Sequence, residues 1–383
     1  MQFKLLVSTL VLCACLFLAS CSSTTEPGGD NNGTTQDIGP SATAKWDPNF
    51  KYSGGDSVPK GLAGSVQKLV KYNGKLYGVG YFKYINGSDF PTKCVFVWNS
   101  TTIDSLHNQL GPVDVFYNID YIRSAMVYNN KLHVSGSYEL NGQRYISQWD
   151  GSDWTTGTQE ASFSWETVSN GTSAYDFQKD QGATFPYDSS TVYKYNGTTW
   201  DAIAGFQDKG NTTEQVTSLA VDNSTVYVAT HEIGSFVFDA KAWVYKYDGG
   251  TMTELKGASG QLQGTITKLL WVGSTLYGLG EIQLFKGYCG MVKWNGTDWE
   301  TMTEVGFGAN DQNPVMDAVT DKNGNLYVAT KKAVFKYDGT TATKLGTVDG
   351  AINTIAIMGD KLFLGGSFDK VDGVASNNFA VLH

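Results

Sequence analysis

Arginine is almost missing from this chain: Arg123 and Arg144 are the only two among 383 residues. Proline is scarce, with 8 residues, and histidine is limited to His107, His133, His231 and His383. The net charge is −9 and no basic run exists, so the sequence carries no electrostatic footprint for nucleic acid. Helical repeats are excluded by patterning of period two and by dense turns. What is plentiful is aromatic residues, 13 % of the chain, together with 44 glycines. That combination fits an all-β chain of short strands and tight turns.

The first 20 residues read as a targeting segment. Lys4 supplies a short positive region, and the apolar run Leu5–Leu18 is too short and wrongly flanked for an ordinary spanning helix. It ends in Leu18-Ala19-Ser20-Cys21, which resembles the lipobox of bacterial lipoproteins at all four positions. The resemblance implies that Cys21 is acylated and becomes the first mature residue. Ser22 after the cysteine resembles lipoproteins sent on to the outer membrane or cell surface, held there by several acyl chains acting together. Residues 21–44 are rich in Ser, Thr, Gly and Asn and cannot bury enough apolar surface to offset their ordering entropy, so they read as a flexible tether.

From residue 45 to 383 one unit recurs. Its clearest copy runs from Ile266 to Met302, with strand-like runs Ile266–Val272, Leu276–Gly280, Met291–Trp294 and Trp299–Met302. An inner turn rich in Asn and Gly repeats seven times, as at Asn73-Gly74, Asn129-Asn130 and Asn323-Gly324. An outer turn repeats as Trp98-Asn99-Ser100, Trp149-Asp150-Gly151, Tyr195-Asn196-Gly197, Tyr247-Asp248-Gly249, Trp294-Asn295-Gly296 and Tyr337-Asp338-Gly339. Four short strands at a period of about 36 to 56 residues mark a β-propeller. The expected fold is therefore all-β: a seven-bladed propeller of four-stranded antiparallel sheets. The seventh copy lacks its outer strand, and Asn49–Ser53 is expected to pair with Asn378–His383 and close the ring.

The Lys-Leu-Tyr/Phe strand starts, Gly365-Gly366-Ser367-Phe368 and the Trp/Tyr-Asn/Asp-Gly turns resemble Kelch and galactose-oxidase-like propellers, and more closely those of bacterial surface lipoproteins. The resemblance is specific for fold and weak for function.

In such a meander the short inner and outer turns share one face, and the long variable loops share the other. Those loops carry Tyr84, Phe90, Phe116, Tyr117, Phe185, Tyr187, Phe236, Phe238, Phe285 and Tyr288, aromatics suited to a sugar ring or a protein partner. Catalytic readings find little. A sialidase-type site needs three arginines, and a copper-radical oxidase needs two histidine ligands, tyrosines and a Tyr–Cys crosslink, for which only His107, His133, His231 and His383 are available. His133 stands where other copies have Tyr and reads as packing. His231-Glu232 is the one polar pair at a long loop. Asp321-Lys322-Asn323-Gly324-Asn325 reads as a turn rather than a calcium loop. No cofactor, metal or catalytic residue is expected. Cys94 and Cys289 fall in third strands of copies three steps apart, too distant for a disulfide, and are expected to be separate buried thiols.

The sequence thus predicts a monomeric lipoprotein, lipid-anchored in the membrane through Cys21, that binds a glycan or an envelope or extracellular protein through its long-loop face. The alternative is an envelope hydrolase or lyase of glycans using carboxylates on that face.

Overall fold

The computed structural model describes residues 36–50, 62–85, 94–106, 121–137, 139–140, 143–159, 163–179, 189–207, 213–223, 225–233, 240–284, 287–302 and 313–383. They form seven antiparallel meander sheets. Sheet 1 contains Leu62–Tyr72, Lys75–Ile85, Val95–Trp98 and Ile103–Ser105. Sheet 2 contains Tyr121–Tyr128, Lys131–Ser137, Gln143–Trp149 and Trp154–Gln159. Sheet 3 runs Phe163–Ser169, Ala174–Lys179, Ser189–Tyr195 and Trp200–Gln207, and sheet 4 runs Thr213–Asp222, Thr225–Ile233, Lys241–Tyr247 and Met252–Glu254. Sheet 5 is Leu262–Val272, Thr275–Leu284, Gly287–Trp294 and Trp299–Thr301; two pairs, Lys241–Gln263 and Ala242–Leu262, tie it to sheet 4. Sheet 6 is Val315–Thr320, Leu326–Thr330, Ala333–Tyr337 and Ala342–Thr347. Sheet 7 has three strands, Ala351–Met358, Lys361–Ser367 and Phe379–Leu382.

The turn residues explain the repeats read from sequence. At the inner turns Asn73 and Gly74 have φ of 47° and 68°, and Asn129 and Asn130 have 50° and 54°. Positive φ at both central residues matches the right-handed twist of a hairpin. At the outer turns the Asn or Asp side chain accepts backbone N–H groups two and three residues ahead. Asp150 Oδ1 accepts from Ser152 and Asp153, Asn196 Oδ1 from Thr198 and Thr199, and Asp338 Oδ1 from Thr340 and Thr341. These Asx turns demand Asn or Asp at that one position and favour the glycine that follows.

Packing is between sheets, since no meander can bury both of its faces alone. The first strands of sheets 1 to 7 touch in succession, and that of sheet 7 also touches that of sheet 1. An apolar cluster fills each of these contacts. Val66, Phe96 and Trp98 of sheet 1, for instance, pack on Phe363 and Phe379 of sheet 7. The cluster between sheets 2 and 3 is the smallest, formed by Met126, Tyr128 and Ala174. That contact is held instead by a buried polar chain in which Ser164 Oγ donates to Asp176 Oδ1 at 2.6 Å and lies 3.0 Å from Ser135 Oγ.

The N-terminal segment does join sheet 7, in a different place from that expected. Lys45 and His383 exchange backbone hydrogen bonds (2.9 and 3.2 Å), Trp46 bridges Leu382, and Asp47 N–H donates to the Val381 carbonyl. The pairing therefore starts at residue 45 rather than 49. Pro48–Phe50 form a single turn of 3-10 helix, because Pro48 cannot donate to a ladder, and residues 51–53 lie outside the described part. Residues 36–44, assigned by composition to the tether, also contact the domain. Asp37 pairs with Lys71, its Oδ1 accepts from the Gly359 N–H at 2.9 Å, and its carbonyl accepts from the Lys322 N–H at 2.8 Å. Three inner turns thus hold this segment against the short-turn face, so composition alone misplaced the end of the tether.

Cys94, one residue before the third strand of sheet 1, and Cys289, in the third strand of sheet 5, are buried, unbridged thiols, and burial pushes the Cys289 thiol up to about 11. A chain starting at Gln36, denatured without reductant, is expected to titrate two thiols; none in a monomer would contradict the sheet assignment.

Candidate functional site: an axial cavity lined by all seven sheets

The first strand of every sheet carries a register shift at the same height, four or five residues before its inner turn. The residues dropped from pairing are Gln67, Arg123, Trp165, Thr217, Thr267, Met316 and Asn353. A bulge turns two consecutive side chains toward one side and bends the strand. In sheets 1 and 5 the partner strand answers with glycine: a Cβ at Gly80 or Gly280 would lie 2.1 Å from the carbonyl oxygen of Ser65 or Thr265.

The residue after each bulge builds a belt from sheet to sheet. Ser124 Oγ accepts the Thr167 N–H (3.0 Å), Glu166 Oε2 the Leu219 N–H (2.8 Å), and Ser218 Oγ the Leu269 N–H (3.0 Å). Asp317 Oδ2 accepts the Ile355 N–H (3.0 Å), and Thr354 Oγ1 accepts the Leu69 N–H of sheet 1 (3.2 Å). Five of the seven junctions thus share one bond. At the other two the residue is Lys68 or Lys268, whose ammonium has no lone pair to offer.

Bulge and belt residues line a central cavity of about 170 Å³ to which all seven sheets contribute. Its wall carries three cations, Lys68, Arg123 and Lys268, and two carboxylates, Glu166 and Asp317. Lys268 Nζ lies 3.9 Å from Glu166 and 3.5 Å from Asp317, so these three form one partly buried group. Lys68 Nζ donates to the Thr167 carbonyl at 3.2 Å and reaches Ser124 Oγ at 3.4 Å. Arg123 lies over the rings of Trp165 (4.0 Å) and Tyr121 (4.6 Å), and the Lys179 ammonium is 4.3 Å from the Trp165 ring. Ring faces of this kind offset part of the cost of desolvating a cation. Burial, reinforced by the Arg123 charge, still pulls the Lys179 amine down to about 8.

His231 and Glu232 do not form a pair. Successive residues of a strand face opposite ways. Thus His231 Nδ1 meets Thr265 Oγ1 of sheet 5 at 3.2 Å, while Glu232 accepts the Lys241 N–H at 3.4 Å. Burial and the Lys179 charge hold His231 down to about 4, leaving it neutral near pH 7. Asp321 caps its own turn, accepting N–H groups from Asn323 and Asn325, both at 2.9 Å.

His133 is packing, with Nε2 3.1 Å from the Tyr128 carbonyl, and burial lowers its pKa from 6.5 to about 4. The unfolded chain therefore takes up this proton first as pH falls, and stability drops between about 6.5 and 4. His133→Tyr, restoring the residue of other copies, is expected to remove about 3 kcal/mol of that acid sensitivity. Identical denaturation midpoints against pH for variant and parent would contradict it.

The side chains of Tyr84 and Tyr288, and residues Phe90, Phe116, Tyr117, Phe185, Tyr187, Phe236, Phe238, Phe285 and Cys21, lie outside the described part. Sequence reasoning missed the axial residues altogether. The signal for most of them was present: a polar pair interrupts the apolar run of the first strand in five of the seven sheets, as in Val66-Gln67-Lys68-Leu69 and Ile266-Thr267-Lys268-Leu269, whereas Trp165 and Met316 hide it in sheets 3 and 6.

Seven meanders packed through their first strands around one cavity define a fold of β-propeller type. Two crystal structures of the extracellular domain of a B. thetaiotaomicron protein, described as a hybrid two component and as a one component system, are similar to this chain. They superpose with TM-scores of 0.53 and 0.54 at 12 % identity over 88 % of this chain. The chain spans 39 % of the length of that domain, and at this identity the likeness is one of fold. A polysaccharide lyase, an ulvan lyase bound to its saccharide, superposes at TM-score 0.49 with 10 % identity, covering 88 % of this chain and 95 % of the lyase. No family model matches the sequence, and no curated protein does. Among the described residues no helix is long and apolar enough to cross a membrane.

Proposed function

We propose that this chain is a cell-surface or outer-membrane lipoprotein. Its seven sheets make a closed seven-bladed propeller that binds a glycan or protein partner through the long-loop face. The observation that carries this reading is the docking of Gln36–Gly39 on the short-turn face, where Ile38 and Gly39 N–H groups donate to the Gly359 carbonyl. A tether from an acylated Cys21 then reaches the domain from the short-turn side, and the opposite face is directed away from the membrane. Closure draws support from the apolar cluster between sheets 7 and 1 and from the Thr354–Leu69 bond across the same junction. The B. thetaiotaomicron domain is extracellular by its description, which agrees with this placement. Both cavity carboxylates are engaged in the belt, each accepting a backbone N–H and flanking Lys268.

The test compares two variants on a glycan array and in pull-downs from envelope fractions. Phe236→Ala combined with Phe238→Ala is expected to weaken binding without unfolding the domain, while Asp360→Ala on the short-turn face leaves it unchanged. Equal binding by both, or loss with Asp360→Ala alone, would move the site. Cys21→Ser is expected to release the chain or leave it unprocessed; a variant that still fractionates with the outer membrane would remove the anchor from the account.

A further inference from the structure

We infer that Gln36–Gly39 form a clasp that takes the pull of the tether, so that tension is met by the inner turns of sheets 1, 6 and 7 before it reaches the pairing that closes sheet 7. This inference rests on the anchored reading above and deepens it.

The bonding of the segment supplies the first observation. Six bonds hold four residues. The Asp37 carbonyl accepts the Lys322 N–H (2.8 Å), Asp37 Oδ1 accepts the Gly359 N–H (2.9 Å), and the same carboxylate pairs with the Lys71 ammonium. Ile38 and Gly39 N–H groups donate to the Gly359 carbonyl (2.8 and 3.1 Å), and Lys322 Nζ donates to Gln36 Oε1. Lys71 is the penultimate residue of the first strand of sheet 1, Lys322 stands in the inner turn of sheet 6, and Gly359 stands in that of sheet 7. Asp37 alone therefore reaches all three sheets.

Backbone shape supplies the second. Gly39 has φ of 68°, and a Cβ there would lie 2.3 Å from the Tyr327 hydroxyl. Only glycine lets the chain pass this close in this conformation. Ile38, the large apolar side chain of the clasp, is 43 % exposed, so its burial is not what holds the segment. The grip is made of polar bonds and a fitted glycine.

The order of attachments along the chain supplies the third. After the clasp, Ser41, Ala42 and Thr43 are exposed, and the bonds here stay within one turn: Ala44 N–H donates to the Ser41 carbonyl, and Ser41 Oγ lies 3.2 Å from Thr43 Oγ1. Next come Lys45, Trp46 and Asp47, antiparallel to the end of the last strand. A pull arriving from the N-terminal side meets the Lys45–His383 pair first and then the pairs inward of it. Each pair carries the whole load in turn, so the closing segment peels. The clasp lies upstream of that geometry, and its six bonds share the load among three turns.

The test stretches single molecules of the mature chain, residues 21–383, made without acylation. One handle is attached at Cys21, since Cys94 and Cys289 are buried, and the other follows His383. At constant force the parent is expected to lengthen in two events. The first frees the stretch from Gln36 to Ala44, up to about 30 Å at full extension, and the second opens the closure. Asp37→Ala is expected to lose the first event and to shorten the time before the closure opens about tenfold or more. Gly39→Val, which drives a branched side chain against Tyr327, is expected to do the same by an independent route; two variants guard against misfolding of either one. Moving the first handle to Thr43→Cys in a Cys21→Ser chain bypasses the clasp. Chains with and without Asp37→Ala are then expected to open equally fast, which a role for Asp37 in the general stability of the domain would not give. Equal lifetimes for the parent and both variants under a pull at Cys21 would overturn the inference. So would clasp and closure opening in one event, or an Asp37→Ala effect that persists with the handle at position 43. No outcome depends on an acyl chain, so failure of the anchored reading shows separately, in the fractionation of Cys21→Ser.

Discussion

Replacing Trp46 by alanine is expected to destabilise the domain by about 3–5 kcal/mol, the range found when a buried tryptophan or phenylalanine is truncated. Trp46 is 8 % exposed and packs in a cluster with Val334, Leu364 and Leu382 of sheets 6 and 7 and with Val348 between them. Its indole N–H donates to the Leu345 carbonyl at 3.3 Å, and Gly346 leaves room for the ring, since a Cβ there would come within 2.9 Å of it. A smaller side chain opens a cavity that neither flanking sheet can refill, and it loosens the backbone pairing of Lys45 and Asp47 with the last strand. Thr43→Ala, at an exposed position just upstream, is the control and is expected to change stability by no more than about 0.5 kcal/mol. Denaturant midpoints measured on a chain starting at Gln36 decide it. A loss below about 1 kcal/mol for Trp46→Ala would mean that the segment rests on sheet 7 without helping to hold it.

The second large effect is at the belt. Asp317→Ala is expected to cost about 3–5 kcal/mol, the usual consequence of removing one partner from a buried ion pair. It leaves the Ile355 and Ala318 N–H groups without the carboxylate that each meets at 3.0 Å, and strips Lys268 of one of its two acidic neighbours. Asp317→Asn keeps an oxygen for one N–H and is expected to lose about half as much. The informative comparison adds Lys268→Met. Once that ammonium is gone, removing Asp317 no longer exposes an under-compensated charge, so the double variant should be more stable than the summed losses predict by more than about 1 kcal/mol. Strict additivity would mean that Lys268 and Asp317 are neighbours without coupling.

The ease with which the sheets could be read in the sequence follows from turn chemistry. An Asx turn tolerates only Asn or Asp at its first position, and an inner turn with positive φ favours Asn and Gly, so Asn196-Gly197 and Asn73-Gly74 recur as visible words. The third copy departs from the Lys-Leu-Tyr/Phe strand start of the others at Ala174-Tyr175, and its inner turn Ser169-Asn170-Gly171-Thr172 closes as an Asx turn, with Asn170 Oδ1 accepting from the Thr172 and Ser173 N–H groups. What obscured that copy is its contact with sheet 2, where Ser135, Ser164 and Asp176 replace the apolar residues that mark other copies. The register of closure was less legible. Trp46, Phe50 and Tyr52 all advertise burial, and only the three-dimensional fit shows that Trp46 fills the space beside Gly346 while Phe50 meets Phe379 edge to face at 5.2 Å.

The axial site was the least legible of all. Its residues are unlike one another: Lys68, Ser124, Glu166, Ser218, Lys268, Asp317 and Thr354 share a position but no chemistry that a repeat alignment would reward. They are brought together by seven bulges, and a bulge leaves only a weak trace, two residues that break the alternation of a strand. Attention to long loops alone therefore led away from the centre of the molecule.

The claim on which the cavity, the belt and the exit of the tether all depend is that residues 45–47 close sheet 7. Lys45 and His383 form a hydrogen-bonded antiparallel pair, a geometry with Cα atoms about 5.5 Å apart and within reach of a disulfide. A chain starting at Gln36 and carrying Lys45→Cys and His383→Cys holds four thiols when reduced, the two introduced and Cys94 and Cys289. After mild oxidation the folded monomer is predicted to retain two free thiols and to carry one bridge joining position 45, before the first sheet, to position 383, after the last strand of sheet 7. Four free thiols in the oxidised monomer, or bridges found only between chains, would contradict closure and with it the axial site.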